Sequence, residues 1–104
     1  MKFTVRNTQS GEPSWWLHSS SDLVAWAGET FASTSNATRA EEAFKAGAAT
    51  ARFEIYEDTG GKWRWRAWRS SDKVASSGES FASKSNAQRA ADNVKTNAGT
   101  ATGP

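Results

Sequence analysis

Apolar and polar residues alternate along Phe3-Thr4-Val5-Arg6 and again along Phe53-Glu54-Ile55-Tyr56. A period of two marks a half-buried strand, which places Phe3, Val5, Phe53 and Ile55 on an inward side. The clearest alternation is Lys62-Trp63-Arg64-Trp65-Arg66-Ala67-Trp68. Trp63, Trp65 and Ala67 fall on one side of that strand and Arg64, Arg66 and Trp68 on the other. The matching stretch fifty residues upstream puts Trp15 and Leu17 inward and Trp16 and His18 outward. Pro13 stands where Trp63 does, and predicts a later start for the upstream strand.

Turns punctuate the pattern. Ser10-Gly11 and Thr59-Gly60-Gly61 supply the positive φ that a tight hairpin needs. At Ser20-Ser21-Asp22 and Ser70-Ser71-Asp72, Asp is the residue suited to left-handed or Asx-turn geometry. Short third strands follow over Leu23–Ala27 and Lys73–Ser77, with Val24, Ala25, Val74 and Ala75 as their apolar members, and end at Gly28 and Gly78. The period then changes to a helical one. Ala37, Ala40 and Phe44 recur on one face, as do Ala87, Ala90, Ala91 and Val94. Ser33 or Ser35 caps the first helix and Ser83 or Ser85 the second, and Ser85 with Gln88 fits a capping box. Gly47 and Asn97 stand where a left-handed C-cap residue belongs. The small polar tail is expected to fray.

Each of these elements occurs twice, because the chain is one unit written twice. Ser70–Ala90 repeats Ser20–Ala40, and Phe3/Phe53, Trp15/Trp65, Gly28/Gly78 and Lys45/Lys95 share the same offset of fifty. The expectation is a single pseudo-dimeric domain over 1–104, with repeat one at 1–50, repeat two at 51–100 and a frayed tail at 101–104. A unit of about fifty residues buries too little surface to stand alone, so the two must share a core. The fold class is α+β: two β3-α(-β) motifs forming one antiparallel sheet with two helices on one face, related by a pseudo-two-fold axis. Merging the two three-stranded units removes an exposed sheet edge.

Composition narrows the chemistry. Six Trp and five Phe in 104 residues provide the large apolar surfaces that a small core needs. The absence of Cys excludes disulfides and thiolate metal sites. No run approaches a membrane span and the N-terminus lacks an apolar leader, so the expectation is a cytoplasmic protein with no membrane partner. A net charge of +2 does not by itself demand a nucleic-acid partner.

The second repeat resembles the YegP-like family of uncharacterised small proteins. The residues that carry the resemblance are Arg52-Phe53-Glu54-Ile55-Tyr56-Glu57-Asp58, Gly61, Trp63-Arg64-Trp65-Arg66 and Ser76-Ser77-Gly78-Glu79, with Phe81-Ala82-Ser83-Lys84 and Asn93-Val94-Lys95-Thr96-Asn97-Ala98. The first repeat keeps Gly28-Glu29, Phe31 and Ser33 but carries Ser14-Trp15-Trp16-Leu17-His18 in its second strand. The resemblance implies a β3-α-β motif, paired as a homodimer or as a tandem, that builds one continuous sheet with terminal strands exchanged. This chain departs from it at Ser71-Asp72, where the family commonly has Asn-Gly, and in a tail without strand pattern. The family has no established activity, so it implies a fold and no function.

The outward sheet face is the candidate binding face: Trp16, His18, Tyr56, Arg64, Arg66 and Trp68, joined by Arg6. Aromatic platforms flanked by Arg on an open sheet suit stacked bases, with guanidinium groups on phosphates. The plainer expectation is that Trp16 and Trp68 pack against each other, under a loop or in a homodimer contact, beneath Arg stems. Glu29 and Glu79 are a carboxylate pair in identical contexts, whereas acid–base chemistry needs different ones. Ser33, Ser35, Asn36, Ser83, Ser85 and Asn86 at the helix starts read as caps before they read as an anion site. His18, the only His, has no partner for a triad or metal site. No catalytic residue, metal or cofactor is assigned. The sequence points to a non-enzymatic binding or assembly module, with single-stranded nucleic acid as the alternative partner and a homodimer as the assembly form.

Overall fold

A computed structural model covers residues 1–104. Its elements in chain order are strands β1 (Lys2–Asn7), β2 (Pro13–Ser19) and β3 (Asp22–Trp26), helix α1 (Thr34–Gly47), strands β4 (Arg52–Glu57), β5 (Trp63–Arg69) and β6 (Asp72–Ser77), and helix α2 (Lys84–Asn97). The strands form one six-stranded antiparallel sheet in the order β1-β2-β3-β6-β5-β4. β3 and β6 join its two halves through Ala25 opposite Ser77 and Trp26 opposite Ser76. Gly78 lies where a Cβ would collide with the Leu23 backbone, so a side chain there would push this seam apart.

Alternation decides which face is core. Phe3 faces Leu17 and Val5 faces Trp15 across β1–β2, while Phe53 faces Ala67 and Ile55 faces Trp65 across β4–β5. Both helices cover this side. Phe44 of α1 stacks on Trp15 at 5.1 Å between ring centroids and meets Phe3 edge-on at 6.4 Å. Val94 and Ala91 of α2 complete the same cluster with Trp65 and Ala67. One contiguous core therefore draws on both helices and on β1, β2, β3, β5 and β6, with Phe53 and Ile55 of β4 packed against it. The opposite face has no helix over it.

Local details depart from the sequence expectations in several places. β2 starts at Pro13, level with β5 at Trp63. The reason is direction: Trp63 exchanges two backbone bonds with Phe81, whereas Pro13 only accepts one from Phe31 N–H, so the missing proline donor falls off the β1 ladder. In the second turns the left-handed residues are Ser20 and Ser70, each at φ 55°, not the aspartates. Gly11 and Gly61 do take the positive φ of the first turns, at 89° and 79°.

Ser33 and Ser83 are the N-caps, each accepting from the N–H three residues on, at Asn36 and Asn86. The Ser85–Gln88 box does not form; Gln88 donates instead to Asp92. Neither helix ends on a left-handed residue. Gly47 has φ -106° and Asn97 φ -111°, and each helix tightens into a 3-10 turn, Ala48–Thr50 and Ala98–Thr100. The Arg69 guanidinium crosses beside Gly47 and donates to the Ala43 carbonyl at 2.8 Å.

The tail does not fray over its first residues. Phe3 N–H donates to the Thr102 carbonyl at 2.8 Å, Thr102 N–H to the Met1 carbonyl at 3.1 Å, and Ala101 is 4% exposed. Thr102 pairs in parallel with Lys2 on the outer edge of β1. The donors of an edge strand need partners, and a small residue in extended backbone supplies one without any strand-like side-chain pattern. No helix is long and apolar enough to cross a membrane.

Candidate functional site on the open sheet face

The open face is built by the residues that alternate with the core. Successive register partners run straight across it: Thr4, Trp16, Trp26, Ser76, Arg66 and Glu54. Trp16 sits on β2 and Trp68 on β5, with β3 and β6 between them, so the strands carrying them are about 14 Å apart at ordinary strand spacing. They do not pack against each other as the plainer expectation had it. Trp26 fills the middle of the row. It escaped the sequence reading because β3 is short and is displaced by an irregular register at Leu17/His18. Its alternation with Ala25, which is fully buried, was the available signal.

Two clusters occupy the ends of this row. On the β2 side the Arg6 guanidinium lies over the Trp16 ring, 4.2 Å from its centroid, and His18 stands opposite Lys2. On the β5 side Arg66 is held by three groups. Its Nε donates to Glu54 Oε1 at 2.6 Å, and its guanidinium lies 4.3 Å from the Tyr56 ring and 5.5 Å from the Trp68 ring. Trp68 Nε1 donates to the same Glu54 oxygen at 3.0 Å, and Arg52 lies 5.7 Å over the Trp68 ring. These contacts cover Trp16 and Trp68, and no large hydrophobic residue is left exposed on the face.

Arg64 has a different task from Arg66. It donates to Asp58 Oδ2 at 2.8 Å, while Asp58 Oδ1 accepts from the Gly60 and Lys62 N–H groups at 2.9 and 3.0 Å. Arg64 thus braces the β4–β5 turn. The two arginines that the sequence offered for phosphate are both already bonded to carboxylates. Arg6, Arg52 and Lys2 form no ion pair, and they leave the face positively charged overall.

Hydrogen bonds from Arg66 and then Trp68 hold the Glu54 carboxyl below its ordinary pKa, and those from Arg64 and the Lys62 N–H do the same for Asp58. Lowered values contribute stability above the ordinary carboxylate range, and that contribution is lost as pH falls through the folded-state values. Urea titrations at a series of acid pH values should accordingly show a smaller acid loss in Glu54→Gln than in the parent chain. An identical acid limb in both would remove this role from Glu54.

The other sequence candidates do not assemble. Glu29 lines a groove with Phe31, Ala40 and Lys73, whereas Glu79 lines a separate one with Phe81, Ala90 and Leu23. Of the helix-start residues, Ser33 and Ser83 cap the helices, and Asn36 and Asn86 accept from Arg39 and Arg89. No three His, Asp or Glu side chains converge in a metal-binding group.

No family model matches the chain, and no curated protein matches it. Solved structures do. A UPF0339 protein from Shewanella oneidensis superposes with a TM-score of 0.81 over 97% of this chain and 86% of that one, at 13% identity. The E. coli protein yegP, described as of unknown function, gives a TM-score of 0.81 over 97% of this chain and 88% of its own, at 15% identity. At such identities the likeness concerns the fold, and the chain has the YegP-like fold.

Proposed function

We propose that the chain is a tandem duplication, two β3-α halves related by a pseudo-two-fold axis at the β3–β6 seam, acting as a small non-enzymatic binding module. Its recognition surface in this reading is the open sheet face. The observation that carries it is an uncovered six-stranded face holding Trp16, Trp26, Trp68 and Tyr56 among guanidinium groups. Flat rings left partly accessible on a sheet face without a helix over it suit a flat partner.

Single-stranded nucleic acid is the ligand class favoured by the charge distribution. Arg6 lies over Trp16, and neither it nor Lys2 or Arg52 forms an ion pair. The same surplus of positive charge disfavours a homodimer through this face. Titrating a labelled single-stranded oligonucleotide at several salt concentrations tests the reading. Three phosphate contacts predict a slope of about -2 for log affinity against log salt, and Arg6→Ala should reduce it by about 0.7. Absence of binding at low salt would overturn the nucleic-acid reading. Mass that rises with protein concentration in sedimentation would then assign the face to self-assembly.

A further inference from the structure

Glu41 stands apart from everything described so far. It lies in the middle of α1, is 1% exposed, and neither carboxylate oxygen is hydrogen-bonded to any protein group. Removing a carboxylate from water without partners is among the more expensive things a small fold can do. Packing does not require it: the residue fifty positions on, Ala91, fills the corresponding place in α2 and is also 1% exposed.

Glu41 belongs to the wall of a cleft of about 380 Å³, between Thr38, Glu42 and Lys45 of α1 and the tail residues Gly99, Gly103 and Pro104. That volume lies in the range of small-molecule sites. Only one of its lining residues is hydrophobic, so an apolar ligand gains little there. An anion meets Glu41 and Glu42. A hard divalent cation needs about six oxygen ligands, and no third acidic side chain or His joins these two. A group that donates hydrogen bonds and carries positive charge satisfies the buried carboxylate best. Lys45 at the same cleft disfavours a second positive charge.

We propose that this cleft is a binding site for a small molecule bearing a single protonated amine, with Glu41 as the carboxylate that receives it. Burial raises the Glu41 pKa, offset in part by Lys45 and reinforced by Glu42; the tail side brings no charged side chain to the cleft. A raised value means that the folded state holds its proton longer than the unfolded chain. Stability contributed by the protonated form is therefore lost as pH rises from the ordinary carboxylate range through the folded value. An amine that pairs with the ionised form offsets this loss, which links ligand binding to pH.

Amide chemical shifts of the 104-residue chain, titrated with ethanolamine hydrochloride near neutral pH, test the proposal. Ethylene glycol serves as the uncharged control and tetramethylammonium as the cation without N–H donors. Saturable shifts are expected at Thr38, Glu41, Glu42, Lys45, Gly99 and Gly103 with ethanolamine alone. Glu41→Ala, which removes the carboxylate and leaves the residue found at position 91 of α2, should weaken binding by about tenfold or more. Glu41→Gln, which keeps the shape and loses the charge, should weaken it too. No shifts with ethanolamine, equal shifts with either control, or shifts that persist in Glu41→Ala would each overturn the site.

Discussion

Trp65→Ala lowers the stability of the chain by about 3–5 kcal/mol, the range for emptying a tryptophan-sized space in a packed core. Trp65 is 0% exposed, and its ring lies 5.2 Å from that of Phe53, on the strand that forms one edge of the sheet. Inward of it sits α2, whose Val94 and Ala91 belong to the same cluster. A small core has few other residues that can collapse into such a space. The ring nitrogen has no protein partner, so no hydrogen bond adds to the loss, and Trp65→Phe should cost clearly less. The neighbouring Arg64→Ala makes the internal comparison. It breaks an ion pair to Asp58 whose partners are 40% and 22% exposed, and solvent screening leaves such surface pairs little to contribute. Urea denaturation of the three variants checks the order, and a Trp65→Ala loss no larger than that of Arg64→Ala would contradict the assignment of core and outward faces.

A fragment ending at Thr50 does not fold as a stable monomer. The cut leaves β3 without β6 and removes Trp65, Ala67, Val94 and Ala98 from the single core. It also deletes Thr102, which occupies the outer edge of β1. What remains is three strands and one helix, roughly fifty residues that bury too little surface to offset chain entropy. The exposed β3 edge favours pairing with a second copy, and so the fragment should be either unfolded or dimeric. Circular dichroism with sedimentation at several concentrations distinguishes these outcomes from the contrary one, a cooperative monomer, which would refute the shared core.

Much of this architecture is legible in the residue pattern, because each strand reports its own faces. Trp65 and Arg66 are adjacent in sequence and on opposite sides of the sheet, and alternation alone separates them. The sequence offset of fifty pairs Ser33 with Ser83, and both cap a helix. What pattern does not carry is the environment that only the other half supplies. Gly47 reads as a left-handed terminus, yet its φ is -106° and Arg69 crosses beside it from β5. Ala101 and Thr102 look like a free end, yet they meet unpaired donors on β1 at the far side of the fold. Glu41 stands four residues after Ala37 and three before Phe44, on the apolar face of α1, and only its charge conceals its burial. On the open face, alternation located Trp16, Arg66 and Trp68. It did not foresee that Glu54 would draw Arg66 and Trp68 to one oxygen, since a carboxylate on an outward strand position has no pattern of its own.

The claim that the open sheet face is the recognition surface is tested most directly by mapping amide shifts while a single-stranded oligonucleotide is added at low salt. The account predicts perturbations along the row from Thr4 through Trp16, Trp26 and Ser76 to Arg66, with Trp68 included and the outer faces of α1 and α2 silent. Shifts confined to the helices, or none at all at low salt, would contradict it.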